Sequence, residues 1–317
     1  MTSSDSNDDD KIGLMTEPRI NARATDPRAL DDFSRTQRER LAFIEFRLWF
    51  LGDVRRQDLM DRFGIAPAVA TRDLTAYREL APRSIAFDGR RKLYVPGDGF
   101  HPLFEFRAER LMSALSRGFG DGLHHGAEGY LNCEFPLRLN QPPLPVLAVV
   151  TRAIHQQRAI RTTYHSLNQG PSEREIVPFA LVDSGLRWHA RVYDRVSQEF
   201  RDLVITRMDE PVLLDDSPIH PHEKGDKDIQ WSRIVELELV PHPNQERPEI
   251  VARDFAMTDG VLKLKVRAAI AGYVLQQWKV DCSPDHRMDP RAFRLWLRDP
   301  LTLYGVQNAV LAPGYEN

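Results

Sequence analysis

Residues 185–194 read GLRWHARVYD. Trp188, Ala190 and Val192 alternate with His189, Arg191 and Tyr193, the period-two pattern of a strand with two unlike faces. An ordinary solvent face is served by Thr, Ser or Lys. The cations of this strand therefore mark either a wetted surface or the floor of a pocket for something negative. Three further strands surround it: AIRTTYHS (159–166), EREIVPFALVD (173–183) and FRDLVITRM (200–208). Gly170 and Asp183-Ser184-Gly185 punctuate them. Short strands at this spacing predict a small antiparallel barrel.

The first strand places Ile160, Thr162, Tyr164 and Ser166 on one side. Arg174 opens the second. Arg201 and Arg207 lie six apart, on one face if no bulge intervenes. In a strongly curved sheet Arg174, His189, Arg191, Arg201 and Arg207 then meet near the rim. Converging guanidiniums repel unless an anion joins them, and arginine holds phosphate through two parallel hydrogen bonds. Tyr164 or His189 is placed to stack on a base. The competing reading pairs these arginines with Glu173, Glu175, Glu199, Asp202 and Asp209. Charges here nearly balance, so the residues alone leave both readings open.

Upstream, TQRERLAFIEFRLWFLGDV (36–54) carries Leu41, Ile44, Leu48 and Leu51 at helical spacing, widened by Phe43, Phe46, Trp49 and Phe50. Gly52 ends it. RRQDLMDRFGI (55–65) is a second helix stopped by Gly64, and APAVATRDLTAYREL (66–80) a third with Pro67 at its start. Ala70, Leu74, Tyr77 and Leu80 line one side of the third helix; Ala68, Thr71, Arg72 and Thr75 line another. SIAFDGRRKLYVP (84–96) reads as a hairpin around Asp88-Gly89. Three helices and a basic hairpin make a winged helix-turn-helix. Its third helix suits the major groove, with Ala68 against a thymine methyl and Thr71, Arg72 and Thr75 on base edges. Arg90, Arg91 and Lys92 at the hairpin tip suit phosphates or the minor groove. From Arg35 to Arg107 there are 14 Lys/Arg against 10 Asp/Glu, although the whole chain is −3. For a polyanion partner the local excess is the informative figure.

The fold class expected is α+β in several domains, because 317 residues exceed one small domain. Residues 1–32, rich in Ser, Asp, Asn and Pro, are expected to be a disordered tail. The winged helix-turn-helix spans 33–100. A linker helix over 101–125 and a Pro-rich connector fill 101–143. A helix at 144–158 opens the barrel domain of 144–212. A loop rich in Pro, Asp and His covers 209–230. The last segment, 213–317, alternates strand and helix: RIVELELVPH, PEIVARDFAM, VLKLKVRAA, AGYVLQQWKV, AFRLWLRD. That is a small α+β domain suited to dimerisation. Cys133 and Cys282 match no metal spacing and suit a reducing compartment. His124-His125 and His220 with His222 lack a completing ligand set. No phosphate loop or nucleophile elbow occurs. No cofactor, metal, membrane partner or catalytic activity is expected, and a cytoplasmic location is.

The stretch 159–211, AIRTTYHSLNQGPSEREIVPFALVDSGLRWHARVYDRVSQEFRDLVITRMDEP, resembles the WYL domain of bacterial regulators. At the signature itself this chain has Trp188, His189 and Ala190 where the family has Trp-Tyr-Leu. The RWH-R form, with a winged helix before it and an extension after it, is similar to the regulators encoded beside BREX and CBASS phage-defence systems. The resemblance implies an Sm-like barrel that senses nucleic-acid fragments or nucleotide messengers. It implies a homodimeric repressor of a defence operon. It maps the family's pocket onto Tyr164, Ser166, Arg174, His189, Arg191 and Arg201, with Arg207 nearby. The function expected is a homodimer on a palindromic operator, released by a nucleotide or oligonucleotide effector. Ligand-dependent activation, or a nucleic-acid-processing enzyme with a winged-helix targeting module, is the alternative.

Overall fold

The computed structural model describes residues 19–20, 30–118, 129–136 and 139–316. Two compact units divide the chain, Met1–Phe135 and Pro136–Asn317.

In the first unit β1 (Arg19–Ile20) pairs antiparallel with β4 (Phe104–Glu105). Leu30 is buried in the core, so parts of the leader expected to be disordered are ordered. Helix α1 (Arg35–Phe46) starts at Ser34, whose hydroxyl accepts from the Gln37 N–H at 3.3 Å. It runs on through a π-turn at Arg47–Leu51 to Gly52, which takes φ 81° and stops it. Helix α2 (Arg56–Phe63) ends at Gly64 and α3 (Pro67–Leu80) begins with Pro67 in the first turn. Strands β2 (Ile85–Asp88) and β3 (Leu93–Pro96) form the wing. Asp88 pairs with Leu93, so the turn holds four residues, and the Asp88 carboxylate accepts from the Arg90 and Arg91 N–H groups. The helix expected from residue 101 starts only at α4 (Ala108–Arg117), because Phe104 and Glu105 are taken up by strand pairing. Residues 119–126 of the expected Gly-rich end, His124-His125 among them, lie outside the described residues.

In the second unit α5 (Leu144–Gln156) precedes β5 (Ile160–Ser166), β6 (Gly170–Asp183), β7 (Trp188–Asp194), β8 (Glu199–Val204) and β9 (Met208–Leu213). The sheet order is β8-β7-β6-β5-β9. Flat, its two edges would stand roughly 19 Å apart, four strand spacings. Only the one-turn 3-10 helix Ile205–Arg207 joins them. Four Cα steps reach about 15 Å at most, so the sheet must curl toward closure. The sequence predicts one strand over 200–208 and a loop from 209; instead the chain turns at 205 and β9 occupies the start of that loop. No Gly or Pro marks the corner, and FRDLVITRM is uniformly strand-forming. Pro178 sits at a register shift in β6, where a missing ladder N–H is tolerated.

Beyond the barrel come α6 (Ile229–Ser232), β10 (Ile234–Pro241), α7 (Pro248–Asp254), β11 (Leu262–Arg267), α8 (Ala268–Gln277), β12 (Val280–Asp281) and β13 (Leu295–Leu297). Their sheet has the order β11-β10-β13-β12, with β12 parallel to β13. Val235, Leu237 and Leu239 alternate inward against Ala268, Ala271 and Leu275. Gly272 is required here: a Cβ would stand 2.0 Å from the Asn308 carbonyl oxygen. Among the described residues no helix is long and apolar enough to cross a membrane.

Candidate nucleic-acid interface and effector site

The winged helix sets its third helix by two buried polar ties. Arg40 Nε donates to Asp73 Oδ2 at 2.6 Å, with Gln37 adding a bond to the same carboxylate. Tyr77 Oη donates to Glu45 Oε2 at 2.8 Å, and Glu45 also accepts from the Leu103 and Phe104 N–H groups. Both ties leave the opposite side of α3 free. Ala68, Thr71 and Arg72 are exposed and Thr75 half-buried, on the side expected to meet base edges. The Thr71 hydroxyl donates to the Pro67 carbonyl at 2.9 Å. Arg72 has no partner among the described residues. Arg90, Arg91 and Lys92 are exposed at the wing tip, and among the described residues their side chains meet only Asp53, 3.8 Å from Arg91. Phe87, 58% exposed on the wing and packed on Tyr94, joins this surface.

The barrel divides the residues expected to share a rim. Tyr164 faces the core, and its hydroxyl accepts from the Val204 N–H at 3.3 Å. Ser166 accepts from Asn168 and Gln169 N–H groups and shapes the β5–β6 turn. Arg174 is buried, with Nη1 on Asp194 Oδ2 at 2.7 Å, Nε on Ser172 and Nη2 on Gln169. Arg191 is buried as well. Its Nε and Nη2 grip Asp228 at 2.8 and 3.2 Å, and its Nη1 lies 3.3 Å from Asp202. Burial works against this charge, but the Asp228 and Asp202 carboxylates more than offset it, and its pKa stands above the ordinary value. His189 is buried, stacked 5.2 Å from the Tyr273 ring, with Nδ1 unpartnered. Burial first, and then the Arg187 charge, bring its pKa down to about 4, so it is neutral at pH 7. Arg201 is exposed and 3.5 Å from Glu199. Arg207, half-buried in the 3-10 turn, has no partner among the described residues. The competing ion-pair reading thus describes Arg174 and Arg191. Their main partners are Asp194 and Asp228, though, and of the acids named from sequence Asp202 and Glu199 take part.

Three family models cover these parts in order. Residues 36–117 match the BrxR transcriptional regulator winged helix-turn-helix domain, 145–213 the WYL domain, and 234–303 the BrxR transcriptional regulator C-terminal dimerization domain. A DNA-binding transcriptional repressor CapW of Stenotrophomonas maltophilia is 31% identical over 255 residues, 77% of this chain and 84% of that protein. The chain belongs to the BrxR/CapW family of WYL-domain transcriptional regulators. A CapW of Pseudomonas aeruginosa is also 31% identical, over 76% of this chain and 82% of its own. That of Escherichia coli (strain KTE188) is 28% identical over 85% and 91%.

Family membership agrees with the winged helix, the barrel and the terminal domain read from the sequence. Sequence reasoning missed Asp228, Glu223 and Tyr273, which complete the surroundings of β7. Asp228 and Glu223 lie in the stretch read as loop, and only the fold brings them to Arg191 and Arg195. Arg187 is one of the cations that mark this strand in the sequence, but it is not among the residues expected to form the pocket. It and Arg207 both stand close enough to His189 to lower its pKa. Among the described residues no group of three His, Cys, Asp or Glu is placed to hold a metal ion.

Proposed function

We propose that this protein is a homodimeric transcriptional repressor that binds a palindromic operator and is released by an anionic effector bound at the barrel. The observation that carries DNA binding is the exposed side of α3, with Ala68, Thr71 and an Arg72 that has no partner among the described residues, together with a wing tip bearing Arg90, Arg91 and Lys92. A two-fold dimer places two such helices about one helical turn apart on the duplex. The C-terminal domain, matched to a dimerization domain, supplies the pairing.

The effector reading rests on cations that, among the described residues, no buried carboxylate closes. Arg207 and Arg187 flank His189, and Arg201 adds a weakly engaged guanidinium on β8. A phosphorylated ligand, a nucleotide or short oligonucleotide, neutralises them with two-pronged hydrogen bonds. Arg174 and Arg191 are held by Asp194 and Asp228, and Tyr164 and Ser166 serve the barrel's core and its β5–β6 turn. The ligand must favour a dimer geometry that no longer fits the operator, since equal affinity for both states shifts nothing. The regulated unit is the defence operon that encodes the protein, as in the regulators it resembles.

The test is a mobility shift with the DNA upstream of the protein's own gene, against an unrelated duplex of equal length. Specific retardation lost on scrambling one half-site supports the reading. Equal retardation of both duplexes rejects it. Adding short single-stranded oligonucleotides to the preformed complex then reads release.

A further inference from the structure

The charged side of β7 faces the C-terminal domain. Arg195 sends Nε to Glu223 Oε1 at 2.7 Å and Nη2 to Glu223 Oε2 at 2.9 Å, pinning the segment after β9. Four residues earlier Arg191 takes Asp228 in a two-pronged grip, both side chains almost fully buried. Asp228 is also the N-cap of α6, accepting from the Gln230 and Trp231 N–H groups. Helix α6 holds the stretch 300–311. Gln230 donates to the Gly305 carbonyl and accepts from the Gln307 N–H, and Arg233 donates to the Tyr304 carbonyl. That stretch carries Leu301 and Tyr304, each 80% exposed, and Val310, 73% exposed. A second line leaves the same arginine through Asp202, whose Oδ2 accepts from Tyr273 Oη of α8 at 3.1 Å.

Two polar lines from the barrel thus reach the terminal domain, one through α6 and one through α8, and both pass through Arg191. The joint is not balanced. One guanidinium faces two carboxylates, Asp202 Oδ1 being held only by the 3.3 Å ion pair to Arg191, and the buried His189 Nδ1 makes no hydrogen bond among the described residues. A stability-driven joint would be apolar or fully satisfied. A joint of this kind fixes one orientation, because turning α6 by a few ångströms strands two buried charges.

We propose that Arg191 and Asp228 are positioning residues for operator recognition. Their pair fixes the angle between the barrel and the terminal domain, and through it the spacing at which a dimer presents its two α3 helices. Arg191 acts through Asp228 and touches no DNA. The inference goes beyond the proposed function, needing its dimer and operator but not its effector.

The experiment uses the full-length protein and two variants, Asp228→Asn and Tyr273→Phe. Asparagine retains the N-cap acceptor, so α6 is still capped while the ion pair is lost. Operator affinity is measured on the wild-type site and on sites with half-sites moved one base pair apart or together. Amide hydrogen exchange is followed in parallel. For Asp228→Asn the expected result is exchange faster by tenfold or more in 229–233 and 300–311, with β5 and β6 unchanged. Affinity for the native spacing is expected to fall about tenfold and for the shifted sites much less, so the preference for the native spacing weakens. Tyr273→Phe is expected to act in the same direction, less strongly. Equal loss at all three spacings, or unchanged exchange in both segments, overturns the proposal. If the wild-type protein binds no operator, the proposed function fails, and the exchange result alone decides whether the pair holds α6.

Discussion

Arg40 on α1 and Asp73 on α3 form a buried ion pair, Nε to Oδ2 at 2.6 Å, with the Asp73 side chain 1% exposed. It ties the helix that carries Arg72 to the core, at a point one residue from that arginine. Removing one partner leaves a buried charge uncompensated, which costs about 3–5 kcal/mol. Arg40→Ala is therefore expected to lower the unfolding free energy of the N-terminal unit by most of that amount, seen as a lower urea midpoint. Arg40→Met with Asp73→Leu, which removes both charges, is expected to recover most of it. Denaturant titration followed by Trp49 fluorescence checks both.

Glu45 gives the same unit a pH dependence. Burial pushes its carboxyl up to about 7, against the pull of the Leu103, Phe104 and Tyr77 hydrogen bonds. A folded pKa above the free value of 4.5 means that the proton favours folding. The stabilisation is full below about pH 4.5 and disappears as pH rises through 7. The span is worth about 3 kcal/mol at 1.4 kcal/mol per unit. Stability of the winged helix is expected to fall between pH 5 and 7.5, and the slope to vanish in Glu45→Gln. Urea midpoints at half-unit pH steps decide it, and a slope retained in the variant assigns the titration elsewhere.

The winged helix was legible because each of its signals is local. Gly52, Gly64 and Pro67 punctuate the helices, and the spacing of Ala70, Leu74 and Tyr77 gives the buried side of α3. The barrel strands were legible for the same reason, down to the alternation of Trp188, Ala190 and Val192 with His189 and Arg191. What the sequence could not give was the partner of each cation. Asp228 lies 37 residues from Arg191 in a segment without periodicity, and Asp194 meets Arg174 only through the β6–β7 register. Period two assigns a residue to a side of a sheet; it says nothing of what packs there. The β8–β9 corner was hidden because Ile205, buried at the turn, is as strand-forming as its neighbours.

Contacts to DNA separate by their response to sequence and to salt. Arg72→Ala is expected to cost about 1–3 kcal/mol and to relax specificity at one position of each half-site if it reads a guanine. Loss that is uniform over all sequences makes Arg72 a phosphate contact instead. Arg90→Ala, Arg91→Ala and Lys92→Ala are each expected to weaken binding to every sequence. Each should reduce the slope of log affinity against log salt by about 1. Fluorescence anisotropy from 50 to 300 mM salt, on the operator and on single-base variants, measures both quantities.

Arg207 has no carboxylate partner among the described residues, and Arg201 meets only Glu199 at 3.5 Å, both exposed. Neither is needed to hold the fold, so Arg207→Ala and Arg201→Ala should keep wild-type operator affinity. Coupling between an effector and the operator of about 1–3 kcal/mol corresponds to a 5–150-fold change in affinity. With operator prebound, a short 5′-phosphorylated oligonucleotide is expected to release the wild-type protein. Arg207→Ala is expected to need about tenfold more of it, and Arg207→Ala with Arg187→Ala more again. Arg174→Ala, by contrast, strands buried Asp194 and should show first as lost stability. If the arginine variants bind and release as the wild-type protein does, the anion is sensed elsewhere. His189, neutral and unpartnered at Nδ1, then loses its reading as part of the site.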